Sequence, residues 1–87
     1  EIFDQAVKEF GYTAGAAWQC TPEQDQTKME GEVLKAFSGL ARLFGTDQAF
    51  FFAAAFGSGT RDEINKDNCA GFIKNFTDGM KPSTKAE

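Results

Sequence analysis

Apolar residues recur at helical spacing along most of the chain. Phe3, Val7, Phe10, Ala14 and Ala17 step by four, three, four and three. That spacing puts them on one face of a helix running from about Ile2 to Gln19. Gly11 and Gly15 weaken this helix by about 1 kcal/mol each relative to Ala. Two glycines four apart also let a second helix come close. Thr21-Pro22-Glu23-Gln24 reads as a helix start, with Thr21 as cap, Pro22 at the first helical position and Gln24 completing a capping box. The second helix carries Met29, Val33, Phe37, Leu40 and Phe44 on one face, and Gly45 ends it.

Thr46 is placed to cap a third helix, with Asp47 in its first turn. Its body, Ala49 to Phe56, is apolar all round. A helix without a polar face is normally central and buried. A short buried strand has the same signature, but three consecutive alanines favour helix. Gly57-Ser58-Gly59 is expected to break it. Thr60-Arg61-Asp62-Glu63 reads as a second capping box, opening a fourth helix that carries Ile64, Cys69, Phe72, Ile73, Phe76 and Met80. A bend is expected near Asp67-Asn68. Gly79, Lys81 and Pro82 mark the end, so residues 1–81 form one helical domain and 82–87 a loose tail. The chain shows no internal repeat and no linker. The expected fold is all-α: a small four-helix bundle, up-and-down or orthogonal.

Length sharpens this picture. Eighty-seven residues make one domain that buries only about 60–65% of its unfolded surface, so a covalent staple would help a thin core. The two cysteines, Cys20 and Cys69, are not in a C-x-x-C arrangement, which argues against a redox centre or a zinc knuckle. They are either two separate buried thiols, as in a cytosolic protein, or one disulfide. The disulfide is favoured in so small a domain. Closing a loop of about 50 residues stabilises by around 4 kcal/mol on a chain-entropy argument. It would tie the end of the first helix to the fourth. Such bonds persist outside the cytosol, so a periplasmic or secreted location is expected.

Charge and chemistry narrow the function. Net charge is −4, and the nine Lys and Arg residues are scattered singly. No basic stripe for nucleic acid or polybasic membrane anchor is formed. With no His in the chain, the commonest general base and metal ligand is missing. Ser38 and Ser58 therefore lack an activating His. No EF-hand calcium loop is present. Glu23 with Asp25, and Asp62 with Glu63, read as first-turn acids that favour the helix dipole. The most apolar run, Ala49 to Gly57, is far below the roughly 18–20 residues of a membrane span. The chain opens Glu1-Ile2-Phe3, as a mature or trimmed form would. No enzyme activity, cofactor or metal is expected.

What remains is protein contact. Ten of the twelve aromatic residues are Phe. Phe50, Phe51, Phe52 and Phe56 are either the core of a central helix or a face covered in a homodimer or by a partner. Tyr12 lies off the main apolar stripe and is a candidate surface contact. Trp18, beside Cys20, is expected to pack on the disulfide.

The pattern Trp18-Gln19-Cys20 with Cys69 about fifty residues on resembles the HdeA-type periplasmic acid-stress chaperones. The resemblance implies a small helical bundle around one disulfide, a dimer at neutral pH, and a client-binding monomer in strong acid. Protonating 13 carboxylates would move the side-chain charge from −4 to about +9, and self-repulsion would loosen the bundle. Gly11-Tyr12-Thr13-Ala14-Gly15 followed by Cys20-Thr21-Pro22-Glu23 also resembles the Gly-Tyr and Cys-x-Pro segments of the helical amidase-immunity proteins of type VI secretion. That resemblance implies an inhibitor of one specific enzyme. The leading expectation is thus a non-enzymatic exported protein-binding module, and its sharpest version is an acid-activated periplasmic chaperone. An immunity protein and an accessory subunit of an exported assembly are the alternatives.

Overall fold

The computed structural model describes residues 2–80, and the expected tail at 82–87 lies outside them. Four α-helices follow one another: α1 (Ile2–Gln19), α2 (Glu23–Phe44), α3 (Thr46–Arg61) and α4 (Cys69–Met80), the last preceded by a 3-10 turn at Lys66–Asn68. The described residues are a small all-α bundle. α1 is central. It packs most extensively on α3 and also on α4, while α2 lies on α3 and only touches α1.

The close approach of α1 to α3 is made by glycine. A Cβ on Gly11 would stand 2.5 Å from the Phe52 carbonyl oxygen. One on Gly15 would run into the Phe56 carbonyl and the Gly59 backbone, and one on Gly59 into the Tyr12 carbonyl. The expected helix break at Gly57-Ser58-Gly59 is therefore corrected: α3 runs through to Arg61. The propensity cost of about 1 kcal/mol per glycine is outweighed by the backbone contact that only glycine permits. The last turn is closed locally, with the Thr60 hydroxyl donating to the Gly57 carbonyl at 2.7 Å. The Gln19 side-chain amide donates to the carbonyls of Gly59 (2.6 Å) and Asp62 (2.7 Å) from the end of α1. It satisfies two acceptors that the end of α3 leaves open.

Thr60 is thus spent inside α3, and the expected capping box for the fourth helix is corrected with it. Asp62 is the C-cap of α3, its N–H donating to Ser58. Asp62 and Glu63 are not first-turn acids. Ile64 lies in the connection, half-buried, rather than on a helical face. The Asn65 side chain accepts from the Asp67 N–H at 2.9 Å and starts the 3-10 turn. The bend expected at Asp67-Asn68 falls in that turn.

Two further caps differ from expectation. The Thr21 hydroxyl donates back to Ala17 at 2.8 Å and so closes α1 instead of opening α2. Pro22 is the N-cap of α2 and no side chain caps it; Glu23 and Asp25 occupy its first turn as expected. Gly45 ends α2 as expected, at φ 101, with its N–H donating to Ala41. The same residue is the N-cap of α3, so Thr46 is already helical and does not cap. A one-residue hinge at positive φ leaves no room for a separate capping residue.

The core is Val7, Ala14 and Ala17 of α1, Val33 of α2, Phe52 of α3 and Phe76 of α4. Phe10 joins three helices, its ring 5.5 Å from that of Phe52 and 5.6 Å from that of Phe76. The Cys20–Cys69 disulfide is formed, with Cα atoms 5.5 Å apart. It links the turn after α1 to the first residue of α4.

Candidate functional site

Consecutive helical residues point about 100° apart, so a run of three Phe cannot share one surface. Phe52 is fully buried. Phe56 is half-buried and, with Val33, Leu34, Phe37 and Ala53, lines a groove of about 400 Å³ between α2 and α3. Phe51 faces the other flank of α3, under the Lys8 ammonium at 4.9 Å from the ring centre. It shares a shallow cleft of about 590 Å³ between α1 and α3 with Tyr12, Thr13 and Ser58. Phe50 points away from the bundle and is 67% exposed. The structure thus brings Tyr12 and Phe51 together and separates Phe50, Phe52 and Phe56 from them. The run is partly core and partly surface, so the expectation of a helix buried all round is corrected. α3 is covered by α1 and α2 and left open on its outer face.

Tyr12 is held by Asp62. A hydrogen bond to the Asp62 carboxylate, with smaller contributions from burial and from the carboxylate charge, raises the phenol above its ordinary value of 10.0. Trp18 donates from Nε1 to the Glu30 carboxylate at 3.0 Å and so joins α1 to α2. Gln48 of α3 donates to Asp4 of α1 at 2.7 Å. Three of the polar ties between elements therefore end on a carboxylate. The ion pairs Lys35–Glu32 (3.4 Å) and Lys74–Asp78 (2.9 Å) each lie within one helix and are exposed. Pairs of that kind contribute at most about 0.5 kcal/mol.

A surface that periodicity missed lies at the other side of α1. Phe3, Ala6, Val7 and Phe10 form the floor of a groove of about 430 Å³. Ala36, Gly39, Leu40, Leu43 and Phe44 of α2 form one wall, and Gly79 and Met80 of α4 the other. No lining side chain carries a charge or a hydrogen-bonding group. Phe3 packs tilted against Phe44 at 4.8 Å between ring centres, yet Phe44 remains 55% exposed and Leu43 69% exposed. Phe3, Phe10, Leu40 and Phe44 all sit on the expected apolar stripes. Those stripes predict a buried face, and nothing in their spacing says that α2 and α4 stand apart above α1. The surplus signal is Leu43, a large apolar residue beside an already complete stripe.

Among the described residues no cluster of three His, Cys, Asp or Glu side chains is placed to hold a metal ion. No described helix is long and apolar enough to cross a membrane. Compared with known protein families, curated proteins and solved structures, the chain matches none.

Proposed function

We propose that the chain is a non-enzymatic protein-binding module of an exported compartment, and that the groove over α1 receives an amphipathic helix. The observation that carries this reading is the lining: eleven residues from three helices without one hydrogen-bonding side chain. An extended peptide laid there would leave its own N–H and C=O groups unpaired. A helix satisfies those groups internally and offers only its apolar face. The disulfide supports an exported location, because such bonds persist where thiols are not kept reduced.

The sharper version is an acid-activated periplasmic chaperone, with the groove widening as the molecule charges up. The acidic composition supports it, since protonating the 13 carboxylates takes the side-chain charge from −4 to about +9. The second reading, an inhibitor of one enzyme, is favoured by the Tyr12 cleft. There Lys8, Glu9, Thr13 and Ser58 surround an apolar floor with polar groups that would fix one partner.

The test is binding of a hydrophobic dye and a labelled amphipathic helical peptide to the oxidised protein, at about pH 7 and about pH 2–3. Peptide binding that is lost in Leu43→Glu, with helicity unchanged, supports the groove. Equal binding by that variant removes it. Dye binding that rises in acid with the disulfide intact supports the chaperone version. Unchanged dye binding and mass across that range remove the acid trigger and turn attention to the Tyr12 cleft.

A further inference from the structure

The outer face of α3 has an order that none of the three clefts explains, although Ala54 and Ser58 at its edge also line the Tyr12 cleft. Asp47, Phe50, Ala54, Gly57 and Arg61 follow one another at steps of three, four, three and four. That is the spacing of a helix–helix seam. Asp47, Phe50, Ala54 and Arg61 are exposed, Phe50 strongly so, and Gly57 is partly exposed. No residue between Asp47 and Arg61 is charged. The two ends carry opposite charges, and neither makes an ion pair among the described residues. Ala54 lies midway between them. Over fourteen residues the seam is about 21 Å long.

This order is its own complement. Two copies of α3 laid antiparallel about a two-fold axis at Ala54 place Asp47 of each beside Arg61 of the other. They set each Phe50 ring over the Gly57 and Ser58 of the opposite helix, a large side chain onto small ones. The two Ala54 methyls meet at the axis, where only a small residue allows close approach. The Arg61 guanidinium already lies along the seam, since a Cβ on Gly57 would stand 3.5 Å from its Nη1. From there it reaches the partner's Phe50 face as well as the partner's Asp47.

We propose that α3 pairs antiparallel with α3 of a second copy of this chain, with Ala54 on the two-fold axis. A second copy is favoured over an unrelated protein by the palindrome of charge. An isologous contact needs each patch to complement itself. A contact with a different protein needs no symmetric placement of opposite charges around a small centre. Two copies at net charge −4 each also repel, so their contact must be neutral and locally paired, as this one is. The proposal stands apart from the groove over α1, which lies on other faces of α1, α2 and α4.

Sedimentation of the oxidised protein from micromolar to millimolar concentration, with helicity followed in parallel, tests it. The wild type is expected to reach a dimer. Ala54→Glu, which puts two like charges at the axis, is expected to weaken it at least about tenfold. Asp47→Arg and Arg61→Asp are each expected to weaken it, and the two together in one chain to restore it. Ala54→Cys is expected to give a disulfide-linked dimer on mild oxidation, with Cys20–Cys69 intact. A monomer throughout the range would overturn the proposal. So would a dimer indifferent to Ala54→Glu and to the charge exchange. Binding of the helical peptide reports separately on the groove, so failure of one proposal leaves the other readable.

Discussion

At the residue scale, the glycines divide into two kinds that look alike in sequence. Gly15 and Gly59 stand against backbone on the facing helix, where a Cβ has no flexible side chain to push aside. Gly31 and Gly39 of α2 have nothing within 4 Å of where a Cβ would be. Gly15→Ala or Gly59→Ala is expected to destabilise by about 1–3 kcal/mol, as overpacking does. Gly31→Ala is expected to stabilise by about 0.5–1 kcal/mol, since it only improves helix propensity. Urea denaturation of the variants compares the two signs directly, and a stabilising Gly59→Ala would contradict the close packing of α1 on α3. The spacing of Gly11 and Gly15 shows the contact surface on α1. Gly59 is harder to read, because beside Gly57 and Ser58 it has the composition of a helix break. Propensity and packing act oppositely at that residue, and only Gly15 and the Tyr12 carbonyl opposite it decide between them.

Tyr12 gives a second residue-scale prediction, with its sign set by Asp62. A raised folded value means the folded state holds the phenol proton more tightly than the unfolded chain does. The associated stability is present below about pH 10 and is lost as the pH rises through the folded value. As Tyr12 is the single tyrosine, its ultraviolet titration is uncontaminated. Asp62→Asn is expected to move the midpoint down toward the ordinary value, and an unmoved midpoint would mean that Asp62 does not hold the proton.

At the scale of elements, helices with one complete apolar stripe were legible and connections were not. α1 and α2 run close to where their stripes and Gly45 place them. The start of α4 does not, because Thr60-Arg61-Asp62-Glu63 satisfies the spacing of a capping box while α3 uses Thr60 for itself. Local signals of about 1 kcal/mol cannot rank two competing uses of one residue when tertiary packing sets the outcome. α4 is the element with the most to lose. It is twelve residues long, buries Phe76 against α1, and is joined to the rest of the bundle through Cys69. An isolated helix of that length is marginal in water. Reducing Cys20–Cys69 is expected to cost around 4 kcal/mol on a chain-entropy argument. The amides of α4 are expected to lose hydrogen-exchange protection before those of α1 and α3. Exchange measured with and without reductant checks both points, and uniform protection across all four helices after reduction would show that packing alone holds α4.

At the scale of the whole molecule, acid can act in two ways, and their predictions differ. Full protonation of the carboxylates takes the side-chain charge to about +9 on a body with a radius of gyration of 12.5 Å. That repulsion is delocalised, and salt screens it, with a Debye length of about 3 Å at 1 M. The ties to Asp4 and Glu30 are local contacts of 2.7 and 3.0 Å, and Asp62 lies beside Tyr12, so salt reaches them much less than it reaches the delocalised repulsion. Each protonated carboxyl also keeps an oxygen that accepts from Gln48 or Trp18, or stays beside Tyr12, so these bonds weaken without vanishing. Repulsion is therefore the larger effect, and the acid form is expected to be salt-sensitive. Dye binding at about pH 2–3 should fall back toward its neutral value as salt is raised to about 1 M. The combined variant Asp4→Asn, Glu30→Gln, Asp62→Asn should stay closed at about pH 7, because it keeps acceptors in place while removing three negative charges. If the acid form instead ignores salt and the combined variant binds dye at neutral pH, the ties are the trigger. The reading of a charge-driven opening would then give way to a local switch built on three residues.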